Sequence, residues 1–273
     1  MKKNYLAETK KKATKKGKGV SKRTYKWLPK FLNHLDQSVA NSDYELIKLM
    51  GHGVKPAKIC RIHNGIDLNM WDLPEEKKLE FRSEIRQKYQ IPENVPVWGY
   101  VGRLSPEKGC DLFLSSYVRI MKQCPEAYFL IVGDGKMSEG LKQSFAASPF
   151  PDHVRFCGFQ TEMTKYLSAL DVLIMPSYME TFSLTILQAL ALRIPVVATD
   201  VGGNPEQIYS EYDGLLCEKG NADSLADAVL RLLRDPDNRR RMGDTGVNII
   251  RGYLNIERMI DQIEETYDFY CRG

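Results

Sequence analysis

Cysteine is scarce and shows no pairing pattern. The chain has six, Cys60, Cys110, Cys124, Cys157, Cys217 and Cys271, and no C-x-x-C spacing. That excludes a zinc ribbon or a dithiol redox motif. Most of them sit within apolar segments, as small buried thiols do in a reducing compartment. Histidine is scarcer still: His34, His52, His63 and His153 are scattered and lack metal-ligand spacing, so no metal site is expected. Long hydrophobic runs are missing too. None approaches the ~18 residues of a membrane helix, and the longest, "YFLIV" and "VLIM", have the length of buried strands. There is no G-x-x-x-x-G-K-[ST] phosphate loop. The dinucleotide fingerprint also fails, because "GDGKMS" supplies Gly133 and Gly135 but has Ser138 in the third glycine's place. A nicotinamide or flavin enzyme is therefore set aside.

Positive charge is lopsided. The net charge is +4, yet residues 1–26 alone hold ten lysines, one arginine and one glutamate, so the rest of the chain is near −6. The tail lacks the apolar segment of a secretory signal. It can meet RNA, anionic lipid or an acidic partner, but a solvated, disordered end is the preferred reading. Nucleic-acid binding is not expected of the body. We expect a soluble cytoplasmic protein, with peripheral membrane contact left open.

What is present is alternation. From Val97 onward, apolar runs of four to six residues ("VWGYVG", "AYFLIVG", "VRFCGF", "DVLIMPS", "PVVATD", "DGLLCE") are separated by helical patterns. This predicts an α/β fold with a Rossmann-like parallel sheet and helices on both faces. Upstream, the pattern gives a helix over "YKWLPKFLNHL", a short strand at Gln37–Ala40, a second helix and a strand in "KICRIHNGID". Parallel sheets bind ligands beyond the carboxyl ends of their strands. The chemistry should therefore lie in "GRLSPEKG", "GDGKMSEG", "GFQTE", "PSYMETFS" and "TDVGGNPE". Arg103 and Lys108 share the first of these loops, and two cations there suit a diphosphate. The helix beginning near Ser183 offers a second anion site at its unpaired N–H groups. Glu180 stands at the mouth of that helix and Gln188 lies within it.

Five pieces, taken in order, resemble the donor half of retaining glycosyltransferases of the GT-B fold, glycosyltransferase family 4. They are "NGID" (64–67), "YVGRLSPEKG" (100–109), "IVGDG" (131–135), "DVLIMPSYMETFSLTILQALAL" (171–192) and "PVVATDVGGNPE" (195–206). The resemblance implies transfer of a sugar from a nucleoside diphosphate sugar to a saccharide, lipid-linked or protein acceptor, with retention and without an essential metal or other cofactor. It also assigns roles. Glu180 meets donor-sugar hydroxyls, and Phe182, Ser183 and Leu184 present backbone amides. Arg103 and Lys108 hold the diphosphate, Gly102 is a further donor-binding position, and Glu180, Arg103 and Lys108 form the catalytic set. Gly158 and Phe159 lie near the base. Gln188 takes the ribose position, where the family pattern has a second glutamate; an amide accepts with one atom and donates with the other, so binding survives without charge assistance.

The implied domains are a basic tail over 1–26, the remnant of a second Rossmann-like domain, the acceptor domain, with the crossover over 27–72, a donor-binding domain over 73–255 and a C-terminal helix over 256–273. A full acceptor domain of roughly 150 residues is not expected here. The chain is then read as the donor part of a transferase, with a separate polypeptide supplying the acceptor domain, or as an inactive truncated fragment, or as a non-catalytic nucleotide-sugar-binding module. The apolar stripes Trp27, Leu28, Phe31, Leu32, Leu35 and Ile256, Met259, Ile260, Ile263, Tyr267 are expected to need covering.

Overall fold

The computed structural model describes residues 24–271, so the expectation of a disordered tail falls, for residues 1–23, outside the described residues. Residues from Thr24 are helical. The chain divides into two compact units. One comprises residues up to Gly65 together with Ile256 onward; the other spans Ile66–Asn255.

The first unit contains helix α1 (Thr24–Leu32), strand β1 (Ser38–Ala40), helix α2 (Asp43–Gly51), strand β2 (Ile59–Arg61) and the final helix, α12 (Ile256–Cys271). Ser42 starts α2 by accepting from the Glu45 N–H at 3.1 Å, which satisfies one of the donors a helix start leaves unpaired. The strands β1 and β2 pair in parallel over a small core of Ala40, Val54 and Ile59. The stripes singled out in the sequence are only partly covered within this unit: Trp27, Phe31, Leu35, Ile260 and Tyr267 are exposed.

The second unit is built on β3 (Val97–Val101), β4 (Tyr128–Val132), β5 (Val154–Gly158), β6 (Val172–Met175), β7 (Val196–Thr199) and β8 (Gly214–Cys217). The six strands are all parallel and lie in the order β5-β4-β3-β6-β7-β8. Counted from β3, this is 3-2-1-4-5-6, a doubly wound sheet whose connections reverse direction between β3 and β6. Its helices are α3 (Leu68–Trp71), α4 (Glu75–Lys88), α5 (Phe113–Met121), α6 (Ser138–Ala146), α7 (Met163–Ser168), α8 (Leu184–Ala191), α9 (Asn204–Gln207), α10 (Ala222–Leu233) and α11 (Pro236–Tyr253). Every residue of β3, β6 and β7 is buried, as expected of strands covered on both faces. Between β3, β4 and α5 the core is aromatic. Trp98 stacks on Phe129 with ring centroids 3.8 Å apart, and Tyr117 and Phe145 close around them.

At the amino end of the sheet, the side chain of Arg86 is fully buried. It donates to the carbonyls of Pro92, Glu93, Val95 and Ala169 and to Asp171. Asp171 in turn accepts from the Val97 N–H at 2.7 Å. Burial pulls the guanidinium down to about 10, still charged at neutral pH. This cluster fastens α4 to the start of β3 and β6. No helix among the described residues is long and apolar enough to cross a membrane.

Candidate functional site

The reversal point between β3 and β6 opens a crevice at their carboxyl ends, and the loops leaving those two strands meet there. After β3, the Leu104 N–H donates to Asp134 O and the Met137 N–H to Leu104 O, which joins the β3 and β4 loops. A single tight turn, Pro106–Lys108, ends on Gly109 in the left-handed region at φ 72°. A Cβ there would stand 1.9 Å from the Pro176 carbonyl oxygen, so only glycine lets the β3 loop approach the β6 loop this closely. The Tyr178 N–H donates to Glu107 O at 2.9 Å, completing the seam.

That seam brings Lys108 and Glu180 together. Lys108 Nζ lies 2.6 Å from Glu180 Oε2, with both side chains largely sheltered, and the Ser177 hydroxyl reaches the same carboxylate oxygen at 3.4 Å. Arg103 projects from the same loop as Lys108 but is exposed; its guanidinium makes no hydrogen bond or ion pair among the described residues. Its carbonyl is held by the Tyr100 hydroxyl at 2.8 Å. Above the crevice, α8 begins at Leu184 without a side-chain cap. The N–H groups of Leu184, Thr185 and Ile186 have no partner among the described residues, so the helix start faces outward with partial positive charge.

The loop carrying Glu180 is tied from behind by the segment after β7. The Thr199 hydroxyl donates to Ser177 O at 2.6 Å and the Gly203 N–H to Glu180 O at 3.1 Å. Gln207, fully buried in α9, brackets Ser183: its Oε1 accepts from the Ser183 N–H and its Nε2 donates to the Ser183 carbonyl, each at 2.7 Å. The Ser183 N–H is therefore spent on Gln207, whereas the N–H of Leu184, also among the expected donors, is unpaired among the described residues.

The remaining predicted positions are distributed as follows. Gly102 lies at the end of β3, with its N–H on Val132 O. Gly158 ends β5 and Phe159 follows it, two strands from β3, about 10 Å across the sheet; Phe159 is 74% exposed. Phe182 is buried and Leu184 exposed. Gln188 is half-buried in α8, with no partner for its amide among the described residues.

Thr199, Asn204 and Gln207 were not recognised from sequence. Asn204 and Gln207 follow a polar, glycine-rich turn and give no sign of burial, although Asn204 also holds the carbonyl of Thr199, the last residue of β7, at 2.9 Å. Gln207→Leu should leave the buried Ser183 N–H unpaired, while the Ser183 carbonyl keeps only the longer bond from the Leu187 N–H at 3.4 Å, and should cost roughly 1–3 kcal/mol. Gln207→Glu keeps the acceptor but buries a carboxylate against the Ser183 carbonyl oxygen, so at neutral pH it should cost more. Urea melts of the three proteins check this ordering.

A crevice with a sheltered carboxylate–ammonium pair, an exposed arginine and an open helix start is suited to a ligand with both anionic oxygens and hydroxyls. Comparison with known proteins points the same way. The family model described as glycosyl transferases group 1 matches residues 81–248. The chain is similar to the UDP-Gal:alpha-D-GlcNAc-diphosphoundecaprenol alpha-1,3-galactosyltransferase of Escherichia coli, 29% identical over 253 residues, covering 90% of this chain and 64% of that one. It is also similar to the alpha-D-kanosaminyltransferase of Streptomyces kanamyceticus, 28% identical over 188 residues, covering 68% of this chain and 48% of that one. The chain thus spans between about half and two thirds of the length of these curated relatives. Among solved structures, Anabaena HepE in complex with UDP and glucose superposes with a TM-score of 0.83 at 23% identity, covering 91% of this chain and 68% of that one. That likeness is one of fold.

Proposed function

Because this chain belongs to the glycosyl transferases group 1 family, we propose that its strand-end crevice binds a nucleoside diphosphate sugar for transfer to an acceptor with retention, as in glycosyltransferase family 4. The observation that carries this reading is the Lys108–Glu180 pair beside the open start of α8, at the point where a doubly wound sheet takes its ligand.

In this reading the diphosphate lies over the start of α8, where Arg103 and Lys108 meet its charge and stabilise it as it leaves; no metal is required. Lys108 is at present shared with Glu180, so the arriving phosphate competes with the carboxylate for the ammonium. The displaced Glu180 oxygen is then available to accept from sugar hydroxyls. The ribose reaches Gln188, and the base the end of β5 at Gly158 and Phe159. Since Anabaena HepE was solved with UDP and glucose, a uridine diphosphate hexose is the first donor to try. The acceptor, a saccharide, a lipid-linked sugar or a protein, meets this crevice from a wall that a further polypeptide supplies. The exposed Trp27, Phe31 and Tyr267 of the smaller unit are apolar surface of the kind a protein partner covers. A second reading, donor binding without turnover, is favoured by Gln188 alone.

Gln188→Glu tests the ribose assignment. The added carboxylate should tighten nucleoside diphosphate binding by about 1 kcal/mol, severalfold in affinity. A 2′,3′-dideoxy nucleotide should show no gain. An equal gain for both nucleotides would move Gln188 away from the ribose.

A further inference from the structure

At the opposite end of the sheet lies a cavity of ≈280 Å³, bounded by α4, by the residues just before β6 and β7, and by the start of α11. It is separated from the strand-end crevice by the length of the strands, about 15 Å. Its electrostatics are unbalanced. Asp171 is the carboxylate at its centre, and that carboxylate is already saturated: it accepts from the Val97 N–H, from Arg86 and from Arg82. Arg239 lines the same cavity, yet it spends only one of its terminal nitrogens, on the carbonyls of Leu232 and Leu233. Arg82 likewise uses a single nitrogen, on Asp171. The other N–H groups of both forks have no partner among the described residues. Arg240, at the rim, is 76% exposed and 3.8 Å from its nearest carboxylate, that of Asp237.

Two further lining cations are already neutralised, Lys78 by Glu75 at 2.7 Å and Arg193 by Asp72 at 3.1 Å. The surplus therefore belongs to Arg82, Arg86 and Arg239, which share Asp171, with Glu93 acting more weakly on Arg86 and Asp235 on Arg239. Burial, and the repulsion of Arg82, hold both Arg86 and Arg239 below the ordinary arginine range.

We propose that this cavity is a binding site for a small oxyanion of the phosphate type, seated between the unspent forks of Arg82 and Arg239. Planar guanidinium forks pair with tetrahedral oxyanions through two parallel N–H···O bonds. The volume leaves room for the anion and several waters, at ~30 Å³ per water. A bound dianion removes the repulsion among the three arginines and thereby stiffens the joint between α4, α11 and the starts of β6 and β7. The site is independent of the donor crevice and of the function proposed for it.

The test is calorimetry and thermal melting of the full chain with sodium phosphate against sodium chloride at matched ionic strength. Wild type should show saturable binding and a raised Tm. Arg82→Gln and Arg239→Gln should each weaken binding about tenfold or more, the loss of a charge-assisted hydrogen bond. Arg103→Ala should bind phosphate here as wild type does. Because Arg239 also holds two carbonyls, Arg240→Gln at the exposed rim is a second variant, expected to weaken binding severalfold without affecting the fold. A tungstate soak read by anomalous diffraction should place the anion between Arg82 and Arg239. Absence of saturable binding, or binding lost in Arg103→Ala and kept in Arg239→Gln and Arg240→Gln, would overturn the proposal.

Discussion

Asp213→Asn should make the protein more stable above neutral pH and flatten its stability profile between about pH 4 and 7. The Asp213 side chain is fully buried just before β8. One carboxyl oxygen accepts from the Tyr209 N–H at 2.8 Å, and the other has no partner. Burial pushes the carboxyl up from its ordinary 3.8 to about 7, against the smaller opposing pull of the Tyr209 N–H. The folded state thus prefers the protonated acid. In the unfolded chain the group ionises freely above pH 4. Folding therefore carries no penalty from this group below about pH 4, loses stability steadily as pH rises, and bears the full cost above about pH 7. That cost is roughly 4 kcal/mol for a shift of this size. Asparagine keeps the acceptor for Tyr209 and has no charge to bury. Urea melts of both proteins across pH 4–8 should converge at the acid end and separate at the alkaline end. Parallel profiles would show that Asp213 ionises normally in the folded protein.

The second large effect belongs to Gly202→Ala. Gly202 adopts φ 55°, and a Cβ there would stand 1.7 Å from the Glu180 carbonyl oxygen, a backbone atom that cannot rotate aside. The left-handed conformation costs an L-residue ~1–2 kcal/mol, and displacing the packed loop adds ~1–3 kcal/mol. We expect a loss of roughly 2–5 kcal/mol in stability, and a weakened preference for a nucleoside diphosphate sugar over the bare diphosphate, since the loop that moves carries Glu180. Gly140→Ala is the control. It lies in α6 with open space around it, and alanine there should be neutral or stabilise by up to ~1 kcal/mol. Similar losses in both variants would remove the special role of Gly202.

The sheet was legible because its strands are short, continuous apolar runs. "VLIM" and "VVAT" became β6 and β7, every residue buried. Where burial contradicted composition, the sequence misled. Arg86 stands in "EEKKLEFRSEIRQK", a stretch with the composition of a charged amphipathic helix, yet its side chain is wholly buried. Its partners are the carbonyls of Pro92, Glu93 and Val95, and no periodicity predicts a cation required to satisfy backbone acceptors.

The candidate site was half legible. Lys108 and Glu180 are 72 positions apart, and no spacing rule pairs them. The convergence of strand-end loops in parallel sheets does. The support behind them was not visible. The helix α9 has four residues, too few for a helical period, and the two bonds from Gln207 to Ser183 join segments that look like ordinary polar turns.

The central claim is that the crevice between the ends of β3 and β6 holds a nucleoside diphosphate through Arg103 and Lys108. It is tested most directly by titrating UDP, GDP and ADP calorimetrically into wild type and Arg103→Ala, at fixed ionic strength. At least one nucleotide should bind wild type saturably, and Arg103→Ala should weaken it by ~1.5–3 kcal/mol, the worth of a hydrogen bond to a charged group. Equal affinity in the two proteins, or no binding of any of the three nucleotides to wild type, would contradict the claim.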